Sequence, residues 1–574
     1  MNKYQNPFEY EQATTLPRDF VNQVFIEDHS FTRFIQSTRN VFLSGERGSG
    51  KSMTLLYNSL TFRESKKRTP VEDGTDYLGI YIACNTALTH KREWELFEDK
   101  DFPQIVSEHF MVLAIAHAII QELTAVSSTY NLEAASELRE DMEYILGQEL
   151  KAGVPTLKAL LLFLERESYR SQIALNALKH QEFRTTAFTF SSLVHPLLLA
   201  LRRTEQLKKS HFLLLLDDAH DLNPFQKRTL NSWLAYRDRS AFSLKVAVAD
   251  LQSYDFRTIS GGSILEGHDF LVVDLQKPFQ SPSSDFGKMA REVIERRLKV
   301  LGLNVSATDF FPPSQEFEKD LALYRESAQR EAEALYPDSD DAKKRRDYVY
   351  KYTRSKYFQN RNPKSNLPPY AGIDTITHLS TGVIRNLLMP CYWMYDAVFS
   401  ETSASEQNGI KQIPADIQSK VILDRSTRLW DWVEHSLASA IDNCTLEDAK
   451  RVYRLFDQLG VLFRDRLMKD TSEPRAIAFS ISGWSDEFEN LLTPVLNIAR
   501  RAQLLYLRSG PAKDEGRRET YYVPNRLLWP IRGLDIVGQH ARVSLRAKDL
   551  WAASNGTPFR SEGTSITQGG LFNE

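Results

Sequence analysis

The stretch NVFLSGERGSGKSMTLL (residues 40–56) decides the fold of this 574-residue chain. Its apolar residues Val41 to Leu43 predict a strand, and the run that begins at Met53 predicts a helix. Between them, the pattern G-x-x-x-x-G-K-[ST] is satisfied by Gly45, Gly50, Lys51 and Ser52. A glycine-rich turn between a strand and a helix is typical of a loop that wraps around phosphate, and this context makes a chance match a poor alternative.

The residue types in this loop suit a bound nucleotide. Glycines let consecutive backbone N–H groups face a phosphate, and the helix N-terminus adds positive potential. We expect Lys51 to reach the β- and γ-phosphates of ATP and the Ser52 hydroxyl to ligate Mg²⁺. The predicted nucleotide-binding residues are Gly45, Glu46, Arg47, Gly48, Ser49, Gly50, Lys51, Ser52 and Met53.

Further strands follow in the order that a parallel nucleotide-binding sheet requires. They are YLGIYIA (77–83), HFLLLLDD (211–218), FSLKVAVAD (242–250) and DFLVVDLQ (269–276). Several are continuous apolar runs, as expected of parallel strands that are covered on both faces. Ligands bind at the carboxyl ends of such strands, where Gly45, Asp217, Asp218 and Asp250 fall.

Two adjacent aspartates end the strand HFLLLLDD (211–218), the third strand of the sheet in chain order. We expect Asp217 to belong to the magnesium shell and Asp218 to orient or deprotonate the attacking water. Lys51 and Asp218 are therefore candidate catalytic residues. The alternative is that the pair only ends a strand and starts a turn, since Asp-Leu-Asn-Pro follows at 221–224.

The bulk composition indicates a cytoplasmic globular protein. The formal net charge of −3 gives no global attraction to nucleic acid or an anionic membrane. Three distant cysteines with no CxxC spacing indicate a reducing compartment and argue against a zinc module. The first residues lack the features of a signal peptide. The apolar run FMVLAIAHAII (110–120) is too short to span a bilayer, so we expect no membrane association.

Between the second and third strands lie helical patterns that exceed a single crossover. They cover residues 109–123, 133–150 and 156–178, and they predict a helical insertion at about 124–205. Partner binding is one role for such an insertion, and a self-packed bundle is the simpler alternative.

A basic, tyrosine-rich segment follows two predicted helices at 284–303 and 315–337. It is KKRRDYVYKYTRSKYFQNRNPK (343–364), in which cations and rings interleave as in sites for nucleic acid. The alternative is a solvated charged helix whose tyrosines pack on its neighbours. The candidate phosphate-binding residues are Lys343, Lys344, Arg345 and Arg346.

The C-terminal part predicts a winged helix. A helical pattern at 445–463 and a helix running into a strand at 487–507 flank a short strand at 475–482, and 508–524 predicts a β-hairpin whose polar tip carries Arg517 and Arg518 as further nucleic-acid candidates. The polar residues from 553 to 574 predict a flexible tail.

Three short strings together resemble a known family. GERGSGKS, LLLLDDAHDL (213–222) and LSTGVIRNLL (379–388) are similar to the AAA+ ATPases of the origin-recognition type and to the related STAND signalling ATPases. NPF near the start and YAG…LS-G-x-x-R near the lid narrow the likeness to a bacterial origin-recognition-like branch, over about residues 6–550. The resemblance implies an α/β P-loop AAA+ parallel-sheet core with a helical insertion, an α-helical lid and a C-terminal winged-helix domain.

This resemblance implies domain boundaries as well. We expect an N-terminal segment at 1–36, the nucleotide-binding core at 37–280, the helical lid at 281–400, the winged-helix-like domain at 401–552 and the tail at 553–574. In origin-recognition proteins the last domain touches DNA, whereas in STAND proteins it is often a structural latch.

Roles for three arginine or sensor positions also come from the resemblance. Arg385 in Gly382-Val-Ile-Arg385 matches the lid arginine that reaches the γ-phosphate, although a solvated helix face is the alternative. Asp250 stands where the family more often has Asn, Ser or Thr, so Gln252 or Ser253 could serve instead. Arg257 is the best-placed arginine finger toward a second subunit, ahead of Arg237 and Arg239.

The family usually has glutamate where this chain has Asp218, and STAND ATPases share the Asp-Asp pair. A shorter carboxylate is expected to slow hydrolysis. We therefore expect an ATP-binding, slowly hydrolysing regulatory ATPase whose nucleotide state controls assembly with DNA, a partner protein or itself. Two alternatives stay open. One is a nucleotide-locked scaffold that recruits an effector, as in prokaryotic antiviral defence, and the other is a winged-helix DNA-binding loader.

Overall fold

The chain forms two compact units, Glu11–Gln276 and Met1–Tyr10 with Lys277–Glu574. A computed structural model describes residues 6–10, 13–26, 31–65, 77–84, 102–130, 136–177, 187–236, 240–251, 254–275, 285–361, 367–401, 410–469, 474–511, 518–537 and 542–559.

The first unit is built on a parallel sheet. Its described strands are β1 (Val41–Ser44), β2 (Tyr77–Ala83), β3 (His211–Asp217), β4 (Phe242–Val248) and β5 (Leu271–Asp274). They pair in the order β2-β3-β4-β1-β5, and every pairing is parallel. The predicted strands and the predicted α/β class are confirmed.

Burial on both faces explains why these strands are continuous apolar runs. In β3, Leu213 and Leu215 belong to one hydrophobic cluster, whereas Leu214 and Leu216 belong to another. Alternate side chains of a strand point to opposite faces of the sheet. Each face is therefore covered, and the sheet edge at the strand ends is the place left for polar chemistry.

Asn40 fixes the entry to β1 and hence the position of the glycine-rich loop. Its side-chain amide donates to the carbonyl oxygens of Leu234 and Asp269, at 3.2 Å each. Its Oδ1 accepts the backbone N–H of Leu244 at 2.9 Å. One buried side chain thus joins the beginnings of β1 and β4 to the segment that precedes β5.

Helices surround the sheet in the first unit. They are α1 (Arg18–Val24), α2 (Thr32–Ile35), α3 (Lys51–Tyr57), α4 (Leu60–Ser65), α5 (Phe102–Ala125), α6 (Ser127–Tyr130), α7 (Ser136–Leu146), α8 (Thr156–Asn176), α9 (His195–Arg203) and α10 (Pro224–Leu234). A five-residue π-helix, Phe190–Val194, precedes α9. Helices were thus correctly predicted within the insertion.

The apolar helix α5 is longer than its sequence pattern indicated. It has 24 residues, and in the described part of the chain it is the one helix with the length and composition to cross a membrane. The statement that this run is too short to span a bilayer was therefore wrong. Residues such as Val112 and Ile119 are fully buried in the main core of this unit, and such burial is typical of a core helix in a soluble protein.

The second unit is mainly helical. Its helices are α11 (Asp285–Val300), α12 (Ala307–Phe310), α13 (Gln315–Leu335), α14 (Ala342–Asn360), α15 (Ile373–Leu379), α16 (Ile384–Glu401), α17 (Ala415–His435), α18 (Leu437–Ala440), α19 (Leu446–Met468), α20 (Asp486–Arg501) and α21 (Ala547–Ser554). The helices predicted at 284–303 and 315–337 are confirmed as α11 and α13.

The Asn-Pro-Phe string near the start of the chain packs into this second unit. Phe8 is fully buried, with its ring centroid 5.6 Å from that of Phe311 and 6.1 Å from that of Tyr395. The buried guanidinium of Arg297 donates to the carbonyl oxygens of Pro7 and Glu9, both at 2.8 Å. These contacts explain why residues 6–10 group with the distant C-terminal half of the chain.

A small second sheet lies in the C-terminal part. Its strands are β6 (Ala478–Ser482), β7 (Leu505–Pro511), β8 (Arg518–Pro524) and β9 (Arg542–Arg546), in the order β7-β8-β6-β9. The predicted hairpin is present as antiparallel β7 and β8, whereas β9, which pairs parallel to β6, was not predicted. The winged-helix assignment itself stays a prediction.

Candidate functional site

The glycine-rich loop closes around its own lysine. Gly48 and Gly50 have φ angles of 85° and 98°, which L side chains rarely adopt, and α3 begins directly afterwards at Lys51. The Lys51 side chain is 5% exposed, and its Nζ donates to the carbonyl oxygens of Gly45 at 2.7 Å and Glu46 at 3.1 Å. The sequence therefore folds locally into the glycine-rich turn between β1 and α3 that its motif predicted.

Two carboxylates balance this buried cation. Burial lowers the pKa of Lys51, and the negative charges of Asp217 and then Asp218 oppose that effect. Charges interact in this way only at close range in a partly dry environment. Lys51, Asp217 and Asp218 are thus brought together at the carboxyl edge of the sheet, as the strand ends predicted.

Asp217 is held on both of its carboxylate oxygens. It is 1% exposed at the end of β3. The Tyr81 hydroxyl donates to Oδ2 at 2.8 Å, and the backbone N–H of Asp218 donates to Oδ1 at 3.0 Å. A buried carboxylate needs such donors, because an unpaired one is costly to bury.

Asp218 occupies an unusual backbone conformation next to it. Its φ is 52°, in the left-handed region that few residues other than glycine, asparagine and aspartate adopt. Burial, reinforced by the charges of Asp217 and Asp221, raises the pKa of Asp218 to about 6. A carboxyl group with a pKa close to neutrality is suited to accept a proton.

The residues present fit ATP and Mg²⁺. The hydroxyl of Ser49 is buried inside the loop without a hydrogen-bond partner, and a Cβ added at Gly45 would lie 2.6 Å from it. The buried, unpaired hydroxyl and the glycine that its position requires give the loop a polar lining that suits phosphate oxygens. Ser52, half-buried in the first turn of α3, and Asp217 offer the hard oxygen ligands that Mg²⁺ prefers.

The rest of the metal shell would come from phosphate and water. In the described residues there is no group of three or more His, Cys, Asp or Glu side chains that could hold a metal by itself. Mg²⁺ usually binds through one or two protein oxygens together with substrate phosphates. The donor set therefore suits magnesium delivered with a nucleotide.

Arg47, at the apex of the loop, contacts the segment that follows Asp218. Its Nη2 lies 3.4 Å from Nε2 of His220 and 3.7 Å from Oδ1 of Asp221. Burial lowers the pKa of His220 to about 4, so its ring is neutral at physiological pH. The Arg47–Asp221 pair joins the phosphate loop to the end of β3.

The candidate sensor and arginine finger of the first unit lie beyond the next strand. Asp250 follows β4 by two residues and is half-buried. The guanidinium of Arg257 is 59% exposed and donates to both carboxylate oxygens of Asp255, at 2.8 Å each. This pairing lowers the pKa of Asp255 to about 2. A role for Arg257 toward a second subunit stays a prediction, and it requires this ion pair to open.

Arg385 belongs to the other unit. It is the second residue of α16, after a turn in which Thr381 and Gly382 have φ angles of 55° and 83°. Arg508 and the backbone N–H of Arg526 hydrogen-bond to Thr381, which holds this turn in place. The assignment of Arg385 to the γ-phosphate stays a prediction.

The basic segment forms α14, and most of its rings are engaged inside the unit. Tyr348 stacks obliquely on Tyr352 at 4.4 Å, and Tyr357 packs edge-on against Phe317. Tyr348 also donates to Glu331 at 3.0 Å. These contacts favour the alternative in which the tyrosines pack on neighbouring helices.

Two of the four basic candidates are likewise engaged. Lys344 pairs with Asp341 at 2.8 Å, and Arg345 donates to the carbonyl oxygens that follow α13, those of Tyr336 and Asp338. Lys343 and Arg346 are exposed, and Arg346 lines a cavity of about 630 Å³ between α13 and α14. Nucleic-acid binding here stays a prediction.

Several predicted positions fall outside the described residues. These are Arg237, Arg239, Gln252, Ser253 and Arg517. Arg518 begins β8, but its side chain is not described.

Sequence reasoning missed two side chains of the site, Tyr81 and His220. Tyr81 of β2 lies opposite Leu215 of β3, and Leu215 is two residues before Asp217. The side chains of Tyr81 and Asp217 therefore face the same side of the sheet. Only the strand register shows this, and the sequence does not contain it. The sequence places His220 two residues after Asp218, but it does not show the contact with Arg47 that brings the ring into the site.

Comparison with known proteins agrees with this geometry. A search of curated proteins found no match to the chain. A family profile described as ORC-CDC6-like matches residues 6–545, nearly the whole length of both units. With a phosphate loop, a buried lysine and paired aspartates in the first unit, the chain belongs to the ORC-CDC6-like family of AAA+ ATPase-type, nucleotide-dependent proteins.

Proposed function

We propose that this protein is a magnesium-dependent ATPase that turns over slowly and whose nucleotide state controls its assembly with other molecules. The observation that carries the proposal is the convergence of Lys51, Asp217 and Asp218 beside the glycine-rich loop.

Lys51 changes partners when a nucleotide binds. Its Nζ now donates to two loop carbonyls, Gly45 and Glu46. A phosphate in the loop offers charged acceptors in place of neutral ones, so attraction between opposite charges is added to the hydrogen bonds of the ammonium. The exchange therefore favours binding of the β- and γ-phosphates.

Asp217 and Asp218 have different proposed roles, one toward the metal and one toward the attacking water. Ser52 and Asp217 would hold Mg²⁺, which when bound offsets negative charge on the phosphates. Asp218 accepts a proton from, or orients, the water that attacks the γ-phosphate. Its pKa of about 6 leaves it mostly ionised at pH 7, which a general base requires.

Slow turnover follows from the shape of the catalytic residue. An aspartate side chain is one methylene shorter than the glutamate typical of the origin-recognition type, so it lies farther from the attacking water. The left-handed backbone of Asp218 fixes where that short side chain starts. Rates fall steeply when a base is misplaced by about 1 Å. A partner or second subunit that contracts the site would then accelerate hydrolysis.

The regulatory part of the proposal depends on three predicted contacts. Arg385 would sense the γ-phosphate, Arg257 would act on a second subunit after releasing Asp255, and assembly would involve a second copy, an effector protein or DNA. DNA binding through α14 has the weakest support, because its tyrosines and two of its four basic candidates are engaged within the unit.

A phosphate-release assay tests the proposal. With Mg²⁺ present, the wild-type protein is expected to hydrolyse ATP slowly, and Asp218→Asn is expected to lower that rate at least tenfold. Asp416→Asn is the matched control, because Asp416 is exposed in the first turn of α17 in the other unit. Equal rates in the wild type and Asp218→Asn would refute the catalytic role.

A nucleotide-locked scaffold is the second candidate, and the geometry of Asp218 is the observation that favours it. Such a protein holds ATP or ADP and recruits an effector, a behaviour suited to prokaryotic antiviral defence. It binds ATP as tightly as the leading proposal requires but releases no phosphate above background. Sizing with ATP and with ADP, run beside the turnover assay, separates the two candidates.

A further inference from the structure

The hydrogen bond between Tyr81 and Asp217 has no part in the proposed function above. The phenol is half-buried at the end of β2, and its oxygen lies 2.8 Å from Oδ2 of Asp217. The acceptor is a predicted magnesium-shell residue that is 1% exposed. A single side chain therefore controls one of the two oxygens that a metal shell would use.

The fold builds this contact from the register of the sheet. β2 and β3 run parallel with Ala83 opposite Asp217 and Tyr81 opposite Leu215, so Tyr81 and Asp217 point to the same face. On that face Tyr81 packs against a cluster that includes Val21, Leu56 and Phe62. The ring is thus held by packing, and its hydroxyl cannot move far from the carboxylate.

Tyr81 is the donor in this pair, because an ionised carboxylate has only acceptor oxygens and the phenol supplies the hydrogen. The other oxygen of Asp217 accepts the backbone N–H of Asp218. With one donor on each oxygen, the carboxylate plane is fixed, and each oxygen keeps a lone pair for metal-bound water.

We propose that Tyr81 is a positioning residue for magnesium: by holding Oδ2 of Asp217 it sets the geometry in which Mg²⁺ is bound together with ATP. This inference rests on the proposed ATP and magnesium site. Without the phenol, Asp217 keeps one donor and its carboxylate rotates more freely. Removing a group that orients a metal ligand typically costs about 10- to 100-fold in metal affinity or activity.

The test is ATP binding by Tyr81→Phe, measured by calorimetry in EDTA and then over a series of Mg²⁺ concentrations. The variant removes one oxygen and keeps the packed ring. Its affinity for ATP in EDTA is expected to match the wild type, which also shows that the fold is intact. The Mg²⁺ concentration that gives half of the magnesium-dependent gain in affinity is expected to rise roughly tenfold.

Tyr77→Phe is the matched control. Tyr77 lies on the same strand and the same face, four residues away, and its ring contacts the guanidinium of Arg63 at 3.8 Å. Its loss of a hydroxyl is expected to leave the magnesium dependence unchanged. A double variant, Tyr81→Phe with Asp217→Asn, is expected to show no further loss beyond Asp217→Asn alone, because Tyr81 acts through that carboxylate.

Each outcome decides the inference. A magnesium dependence of Tyr81→Phe equal to that of the wild type would overturn it, and so would an equal loss of ATP affinity with and without magnesium, since that pattern indicates a merely structural role. If the wild type itself binds no ATP, or binds it without any magnesium effect, the proposed function fails rather than the role of Tyr81.

Discussion

The raised pKa of Asp218 predicts an acid limb in the pH profile of ATP hydrolysis. With a pKa of about 6, the carboxylate is about nine-tenths ionised at pH 7 and about one-tenth ionised at pH 5. If the ionised form is the base, kcat/KM falls on the order of tenfold between these pH values. An aspartate with the ordinary pKa of 3.8 would still be mostly ionised at pH 5, and the rate would barely change.

The assay is steady-state phosphate release over this pH range with Mg²⁺ in excess. The neighbouring His220 has a pKa lowered to about 4, so it does not titrate between pH 5 and 7. His220→Asn is therefore expected to keep the acid limb, which separates its origin from the histidine. ATP affinity measured at each pH corrects for protonation of the nucleotide. A flat corrected profile between pH 5 and 7 would refute the assignment of Asp218 as the base.

Three stability predictions follow from buried or crowded groups. Asp218 binds its proton more tightly in the folded protein, so it contributes stability below about pH 4 that is lost as the pH rises to about 6. At pH 7 the ionised Asp218 therefore costs roughly 1 kcal/mol after solvent screening, and Asp218→Asn should raise Tm by about 2–4 °C. At pH 4 the same substitution should raise Tm much less. Gly79→Ala should lower the free energy of unfolding in urea by about 1–3 kcal/mol or more, because the new Cβ would lie 2.0 Å from a backbone carbonyl oxygen just beyond α3. Arg354→Ala should lower it by about 3–5 kcal/mol, since Arg354 donates twice to the buried Asp535, whereas the exposed Arg330→Ala should change it by less than about 1 kcal/mol. Unchanged urea midpoints for Gly79→Ala or Arg354→Ala would contradict the packing and the ion pair respectively.

The first unit was the more predictable one. Its strands are continuous apolar runs because both faces of the sheet are covered, and its phosphate loop has a fixed spacing that only one local structure satisfies. Parallel pairing then places the phosphate loop and the polar strand ends at the same edge of the sheet. The convergence of Lys51 with the two aspartates was therefore within reach of the sequence alone.

What the sequence could not supply was register and long-range pairing. The bond from Tyr81 to Asp217 depends on which residue of β2 lies opposite which residue of β3. Likewise, β9 was missed because a five-residue strand that pairs parallel to β6 has no local signal. The tyrosines of α14 illustrate the same limit, because their spacing suits both base stacking and packing against α13.

ATP binding by Lys51→Ala tests the central claim most directly. Losing charge-assisted bonds to phosphate is expected to weaken binding by about 1.5–3 kcal/mol, or roughly 10- to 150-fold in Kd. Lys299→Ala, at an exposed position on α11, is the matched control and should bind ATP like the wild type. An ATP affinity in Lys51→Ala equal to that of the wild type would contradict the account of this site.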